Sequence, residues 1–566
     1  MNIKVPRWLA VAVAALLLMP ILAACSNPPM AAPDVSAPTA TVVATSPPAV
    51  TPTSVPTITP APTAAVPALT AAPSPPVPLD LSKVTPKPFD QRMRAELEAY
   101  ITTLMRREQV PGASVAVVQD GKVVYQQGFG VRELGKPDPV TPATLMMIGS
   151  TGKSMTTMMM ATVVDEGKMR WDTPAISILP SFAVSDPSLT PKVTMRHLVC
   201  NCTGVQRRDI QMFFPSRPHT AEDTIQTLRT FSFTGNFGET FQYSNQMVAT
   251  GGYLAARAAN PSPSNLSGDY VTQMQRRVFD PIGMTSTTFS FDKVQANPNH
   301  ATPHSRRVDN SLVVLPLTLE ETLTPFAPAG GSWSNVQDLA RYLITQLKGG
   351  LAPDGRRVVS ADNLKLTWQP QVQAAPNAWY ALGWVVSDYK GARLLTHGGG
   401  TSGFSSELTF LPDANLGIAI LSNAQSNAAF LGAVRNRVLE LAYGLPMEAD
   451  ARYAQQTAQA QQAIQDRLAQ VPPHLDLVAV APYQGVYANP ELGEVMLVLK
   501  DKKFVLEAGM FTPELRSTGN GRYLAWDSPL AGLLVKLTQD AAGRPTWQLI
   551  SNEPDQPGTY TFTKMR

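Results

Sequence analysis

Apolar positions recur at helical spacing over residues 92–107, where Met93, Leu97, Tyr100, Ile101 and Leu104 share one face. The period then shortens to that of strands. Ser114–Val118 and Lys122–Tyr125 flank Asp120-Gly121, which predicts a β-hairpin. From Ser150 to Glu166 the chain is nearly uncharged all round until Gly167 stops it, so this helix belongs in the middle of a domain. A small-residue helix is expected over Gln246–Ala259, and Ser334-Asn335-Val336-Gln337 reads as a capping box opening a helix over Val336–Leu347. Strand-like Leu408–Leu411 and Gly417–Ser422 precede a helix over Ala428–Leu441. Helices at both ends with strands late in the chain predict an α+β architecture.

Beyond this region the pattern changes twice. Residues 449–471, rich in Ala and Gln, predict an exposed connecting helix that ends at Pro472-Pro473. The period then becomes two, in Val495–Leu499, Lys503–Leu506, Leu533–Leu537, Trp547–Ile550 and Tyr560–Phe562, with turns such as Gly519-Asn520-Gly521 between them. That is a separate small all-β, barrel-like module.

The N-terminal end is different again. Residues 26–88 are Pro, Ala, Thr, Ser and Val with hardly any charge, which predicts a semi-extended tether reaching roughly 150 Å at about 3 Å per residue. Globular sequence begins near Phe89. Ahead of the tether, Lys4 and Arg7 precede the apolar run Trp8–Leu22, too short for a comfortable membrane span. The run closes on Leu22-Ala23-Ala24-Cys25, which resembles a bacterial lipobox. The expectation is a signal peptide over 1–24, a lipid anchor on Cys25, and a place in the cell envelope facing away from the cytoplasm.

Charge and cysteine content narrow the possibilities. The 46 Lys and Arg nearly cancel the 43 Asp and Glu, and no basic block stands out, which argues against a nucleic-acid partner. Of three cysteines, Cys25 is assigned to the lipid. Cys200 and Cys202 flank a single residue, and a bridge there closes a tiny loop, so two buried thiols are expected.

Three short motifs carry chemistry. Ser150-Thr151-Gly152-Lys153 opens the apolar helix, where positions i and i+3 share a face and the Lys amine can reach the Ser hydroxyl. Burial among Met155, Met158 and Met159 lowers the amine's proton affinity and makes it a usable base. The spacing alone is weak, since Ser290-Phe291-Asp292-Lys293 and Ser387-Asp388-Tyr389-Lys390 share it without an apolar helix behind them. Tyr243-Ser244-Asn245 follows, a phenol able to relay a proton and an amide able to hold a substrate carbonyl. A second Tyr-x-Asn, Tyr487-Ala488-Asn489, lies in the β module. Third is His397-Gly398-Gly399-Gly400, whose glycines let a substrate backbone approach a strand edge and offer a backbone N–H to an oxyanion.

In this order the motifs resemble those of the class C β-lactamase and serine D-peptidase/esterase group. The resemblance spans roughly residues 90–445 and includes Asp280-Pro281-Ile282-Gly283-Met284-Thr285, Pro328-Ala329-Gly330-Gly331-Ser332 and Phe410-Leu411-Pro412-Asp413. It implies an α/β sandwich beside a helical lobe, placed over 89–447; the pattern beyond it adds the 448–473 helix and a small β-barrel-like (lipocalin-like) domain over 474–566. It also implies that Ser150 forms an acyl-enzyme, that Lys153 and Tyr243 move its proton, and that the N–H groups of Ser150 and Gly400 form the oxyanion hole. Asn245, His397 and Gly399 would contact a small-molecule or peptide substrate. Neither a metal nor another cofactor is implied; His300 and His304 stand four apart, but in a Pro-interrupted loop.

Two positions depart from the group. Asn201-Cys202-Thr203-Gly204 stands where a His-Thr-Ser-Gly run is usual, and His397 replaces the third-motif lysine of true β-lactamases. A mostly neutral imidazole pairs poorly with a substrate carboxylate, which favours esters, amides or D-amino-acid peptides over antibiotics. Acylation by a penicillin is then expected to quicken as pH falls towards 6 and the imidazole gains its charge. Two other functions remain open: a penicillin- or peptidoglycan-recognising protein that is acylated with little turnover, and an adhesion or scaffold lipoprotein that binds through its β module.

Overall fold

The computed structural model describes residues 79–566, apart from 215–218, 261, 426, 473, 552–557 and 566. Cys25 and the segment up to residue 78 lie outside the described residues.

An eight-stranded antiparallel sheet organises the larger part of the molecule. Its strands are β1 (Gly112–Gln119), β2 (Lys122–Gly130), β3 (Val372–Ala375), β4 (Ala378–Tyr380), β5 (Val385–Tyr389), β6 (Ala392–Gly400), β7 (Ser405–Leu411) and β8 (Leu416–Ser422), in the order β2-β1-β8-β7-β6-β5-β4-β3. Successive side chains of β1 and β8 point to opposite faces, and both faces are covered. Val115, Val117, Ile418 and Ile420 pack under helices α1 (Gln91–Glu108) and α5 (Ala428–Tyr443). Ala116, Val118, Ala419 and Leu421 face the helical lobe. Within that lobe α2 (Gly152–Asp165) is buried from Gly152 to Val163, as its uncharged sequence requires, and packs against α3 (Asn245–Ala259) and near α4 (Val336–Leu347). The sandwich with a helical lobe is the expected fold.

After helix α6 (Ala449–Leu468) the chain forms a second antiparallel sheet. It contains β9 (Gly485–Asn489), β10 (Gly493–Lys500), β11 (Lys503–Glu507), β12 (Leu515–Gly519), β13 (Arg522–Ala525), β14 (Leu534–Gln539), β15 (Pro545–Ser551) and β16 (Gly558–Lys564). The order β11-β10-β9-β16-β15-β14-β13-β12 brings β11 back beside Glu514, so the barrel nearly closes. Its interior is filled by side chains: Leu497, Phe504, Val535, Trp547 and Phe562 are fully buried, and the rings of Trp547 and Phe562 stack at 4.0 Å.

Three expectations are corrected. The end of the predicted tether is part of the folded body: Leu81 is buried beside Phe89, its N–H donates to the Lys390 carbonyl, and Lys87 N–H donates to Ala442. The cap of α4 is Asn335, whose side chain accepts from Asp338 N–H, because the Ser334 hydroxyl is taken up by Thr287 at 2.8 Å. Cys200 and Cys202 are joined in a disulfide. Asn201 between them adopts φ 49°, a left-handed conformation that Asn tolerates, and this turns the chain back so that the two side chains meet.

Candidate active site

Ser150 sits on a single 3-10 turn, Gly149–Thr151, that runs directly into α2. The turn is pressed between the end of β6 and the Ala329-Gly330 backbone. A Cβ on Gly149, which has φ 53°, would lie 2.8 Å from the Gly400 nitrogen. One on Gly399 would lie 2.1 Å from the Ile148 carbonyl oxygen and 3.1 Å from the Ser150 nitrogen. Glycine at these two positions is therefore a packing requirement. It brings the backbone nitrogens of Ser150 and Gly400 to the same corner of the cleft, where Gly400 is exposed and Ser150 is half-buried.

Lys153, one turn further on, is fully buried. Its Nζ lies 2.9 Å from Ser150 Oγ, 2.6 Å from Asn245 Oδ1 and 2.5 Å from the Ala329 carbonyl oxygen. As an ammonium it donates to all three. As a neutral amine it has two N–H bonds, which suit the two carbonyl-type oxygens, and one lone pair, which suits the serine O–H. Burial drives Lys153 towards that neutral form. Its pKa is held well below the usual lysine value chiefly by loss of water, with Arg207 lowering it further and Asp209 acting the other way.

Tyr243 is buried on the far side of the amine, with the Lys153 Nζ 4.9 Å from its ring centre and the Arg207 guanidinium 5.0 Å from it. Ser244 caps α3 by accepting from Met247 N–H, and this sets Asn245 on the first turn facing the cleft. Asn245 Nδ2 donates to both oxygens of Asp209, at 2.9 and 3.0 Å, and Asp209 pairs with Arg207 at 2.6 Å. The structure thus brings Ser150, Lys153, Tyr243, Asn245, Gly399 and Gly400 together.

His397 is placed differently from the expectation of a residue lining the cleft. It is fully buried, with Nδ1–H donating to the Gly398 carbonyl at 2.7 Å and Nε2 accepting from the Tyr380 hydroxyl at 3.1 Å. Burial first, and the nearby Lys153 second, push its pKa down to about 3. Burial of this depth opposes protonation near pH 6, and so runs against the expected quickening of penicillin acylation at that pH. Burial disfavours the charged imidazolium, and the Gly398 carbonyl acts only weakly the other way.

Beyond Gly400 the chain turns at Thr401–Phe404, and the turn is held by the fully buried Glu320, which accepts from Thr401 Oγ1 at 3.0 Å and Gly403 N–H at 2.8 Å. Burial raises this carboxyl to about 7. Arg207, Asp209, Tyr380 and Glu320 belong to no short motif, and the sequence carried no signal for them. Ala329 was visible only as part of a familial stretch. The lookalike motifs resolve as structural: Ser290 caps a short helix by accepting from Lys293 N–H, Ser387 lies within β5, and Tyr487 lies in the barrel core. The two ring nitrogens of His304 are engaged by Leu134 N–H and the Asn423 carbonyl.

Residues 97–443 match the beta-lactamase family, which is more than half of the 566-residue chain. The chain belongs to the beta-lactamase family. Among its relatives, an unguisins hydrolase of Aspergillus campestris is 28% identical over 351 residues, 60% of this chain and 62% of that protein. The chain thus spans less than two thirds of that relative's length. Penicillin-binding protein 4 of Amycolatopsis lactamdurans is 25% identical, covering 61% of this chain and 88% of its own. The beta-lactamase of Escherichia coli strain K12 is also 25% identical, covering 59% and 89%. The fold is shared with the octameric penicillin-binding protein homologue from Pyrococcus abyssi, at a TM-score of 0.54 and 19% identity over 83% of this chain and all of that one.

Proposed function

We propose that this family member is a serine hydrolase that cleaves an ester or amide bond through an acyl-enzyme on Ser150. The observation that carries the proposal is the contact of Ser150 Oγ with a buried lysine amine that has two further acceptors and a lowered proton affinity. Ser150 Oγ attacks the substrate carbonyl carbon while Lys153, with Tyr243 beside it, takes the hydroxyl proton. The N–H groups of Ser150 and Gly400 receive the oxyanion. The proton then passes to the departing alcohol or amine, and water releases the acid from Ser150 by the same route in reverse. Asn245 and the Gly399 backbone line the substrate's path, and the His397 ring lies 6.4 Å from that of Tyr243. A fluorophosphonate probe tests this directly: the adduct is expected on the peptide carrying Ser150, and a chain that stays unlabelled contradicts it. A stable penicillin adduct without turnover would instead favour the acylated receptor.

Neutral esters, amides and D-amino-acid peptides are the proposed substrates, because the third motif offers no cation to a carboxylate. With His397 neutral at every pH above about 5, the ratio of penicillin acylation to p-nitrophenyl butyrate cleavage is expected to stay flat between about pH 6 and 8. A ratio that climbs severalfold as pH falls would show that the imidazole does take up charge and reach the substrate.

We also propose export and lipid anchoring at Cys25, on the strength of the lipobox-like run and of the Cys200–Cys202 bridge, since disulfides persist in oxidising compartments. Metabolic labelling with an acyl analogue is expected to disappear in Cys25→Ser. Undiminished labelling there would place the lipid elsewhere or remove it altogether.

A further inference from the structure

The segment Arg207–Phe214 touches both the cleft and the C-terminal barrel. On the cleft side, both carboxylate oxygens of Asp209 accept from the Asn245 amide nitrogen, which leaves Asn245 Oδ1 facing Lys153. Turned over by 180°, that amide would aim an N–H at the lysine and its oxygen at the carboxylate. The oxygen–carboxylate contact would then be repulsive, and the lysine would lose one of the two carbonyl-type acceptors its N–H bonds use. Asp209 therefore decides which end of Asn245 the catalytic amine meets.

On the barrel side, the same segment is held at several points. Arg208 Nη1 pairs with Glu491 at 2.7 Å, in the turn between β9 and β10, and Gln211 Nε2 donates to the same carboxylate at 3.3 Å. The ring of Phe213 meets Phe511 edge-on at 5.8 Å. Phe214 is buried in the barrel's own core, and Ile210 packs against it. Toward the helical lobe, the Arg208 carbonyl accepts from Gln246, the residue after Asn245. Asp209 thus sits in a short stretch pinned on one side to the barrel and on the other to α3.

We propose that Asp209 is a positioning residue of the hydrolytic site and that the C-terminal barrel holds it there through Arg208 and Phe213. The inference rests on the serine-hydrolase reading above. It gives the barrel a role in catalysis rather than in binding a separate ligand, which agrees with its filled interior. The groups that face Lys153 are Asp209 and Arg207 from this segment, Tyr243 from the entry to α3, and His397 from β6, the last of these neutral. Removing the Asp209 charge takes away a neighbour that raises the lysine's proton affinity, so the neutral base persists to lower pH.

The test uses the full folded chain and p-nitrophenyl butyrate, with Asp209→Ala, Asp209→Asn and Glu491→Ala. Asp209→Ala is expected to lower kcat by about 30- to 100-fold with KM changed less than about threefold, the scale of losing hydrogen bonds to a charged group. Asp209→Asn keeps one acceptor for Asn245 and is expected to recover part of that loss. In both variants the acid limb of the kcat/KM profile moves to lower pH, a change that loosened packing alone does not produce. Glu491 is 43% exposed at its side chain, so its removal spares the fold; kcat is expected to fall about three- to tenfold with an unchanged melting temperature. Native kcat and an unmoved acid limb in both Asp209 variants overturn the proposal. A Glu491→Ala enzyme at native kcat overturns the barrel's part in it. A native chain that no fluorophosphonate labels at Ser150 refutes the underlying hydrolase assignment instead, so the two failures are told apart.

Discussion

Ser150→Ala is expected to abolish fluorophosphonate labelling and to cut ester hydrolysis by about 10⁴- to 10⁶-fold, the range seen when a covalent nucleophile is removed. Its hydroxyl oxygen lies 2.9 Å from the buried amine, on a turn that also brings two backbone nitrogens to the same corner. No neighbouring hydroxyl can replace it. Thr151 Oγ1 donates to the Ile148 carbonyl and Ser154 Oγ to the Thr151 carbonyl, and both are buried. Ser290→Ala and Ser387→Ala are expected to label and turn over as the native chain does, because one serine caps a helix and the other lies within a strand. Burst kinetics on native and variant protein check the assignment, and hydrolysis retained in Ser150→Ala would falsify it.

Lys153 and Tyr243 are expected to behave as one unit. Lys153→Arg keeps a long basic side chain but should lose about 10³- to 10⁴-fold in kcat, because a guanidinium stays protonated and cannot accept the serine proton. Lys153→Ala should fall at least as far. Tyr243→Phe removes the hydroxyl while keeping the ring under the amine, and is expected to cost about 10²-fold or more. If both groups serve one proton transfer, Lys153→Ala combined with Tyr243→Phe is hardly worse than Lys153→Ala alone. Penalties that multiply in the double variant would assign the two side chains to separate steps. The measurement is kcat for the four proteins on one neutral ester, with circular dichroism to confirm folding.

Much of this is legible in the sequence. Helix α4 begins and ends at the residues its apolar period marks, and α2 is buried from Gly152 to Val163, a stretch in which Lys153 is the one charged residue type. The motif residues could be found because their chemistry is local: a serine and a lysine one turn apart, and glycines at a strand end. What escaped was set by distant parts of the chain. Asp209 and Arg207 look like surface charges until α3 and the barrel close around them. Strands β9, β12 and β13 escaped notice because they are only four or five residues long and alternate weakly. Leu81 looked like one more apolar residue among prolines, and only the sheet's far face gives it somewhere to go. The depth of burial at His397 is not legible in the sequence either, since one residue type gives no measure of how much water its site excludes.

The Cys200–Cys202 turn has a practical consequence for anyone preparing this protein. Asn201, at its apex, accepts Ser244 N–H on its side-chain oxygen at 3.0 Å, and its carbonyl accepts Gln242 N–H at 2.9 Å. Those are the residues on either side of Tyr243. The bridge therefore splints the backbone on which the tyrosine rides, and the thiol state of the preparation becomes part of the active-site description. Material made in a reducing cytoplasm and material recovered from an oxidising one are, in this respect, two different samples. Specific activities measured on them should be compared only after free thiols have been counted.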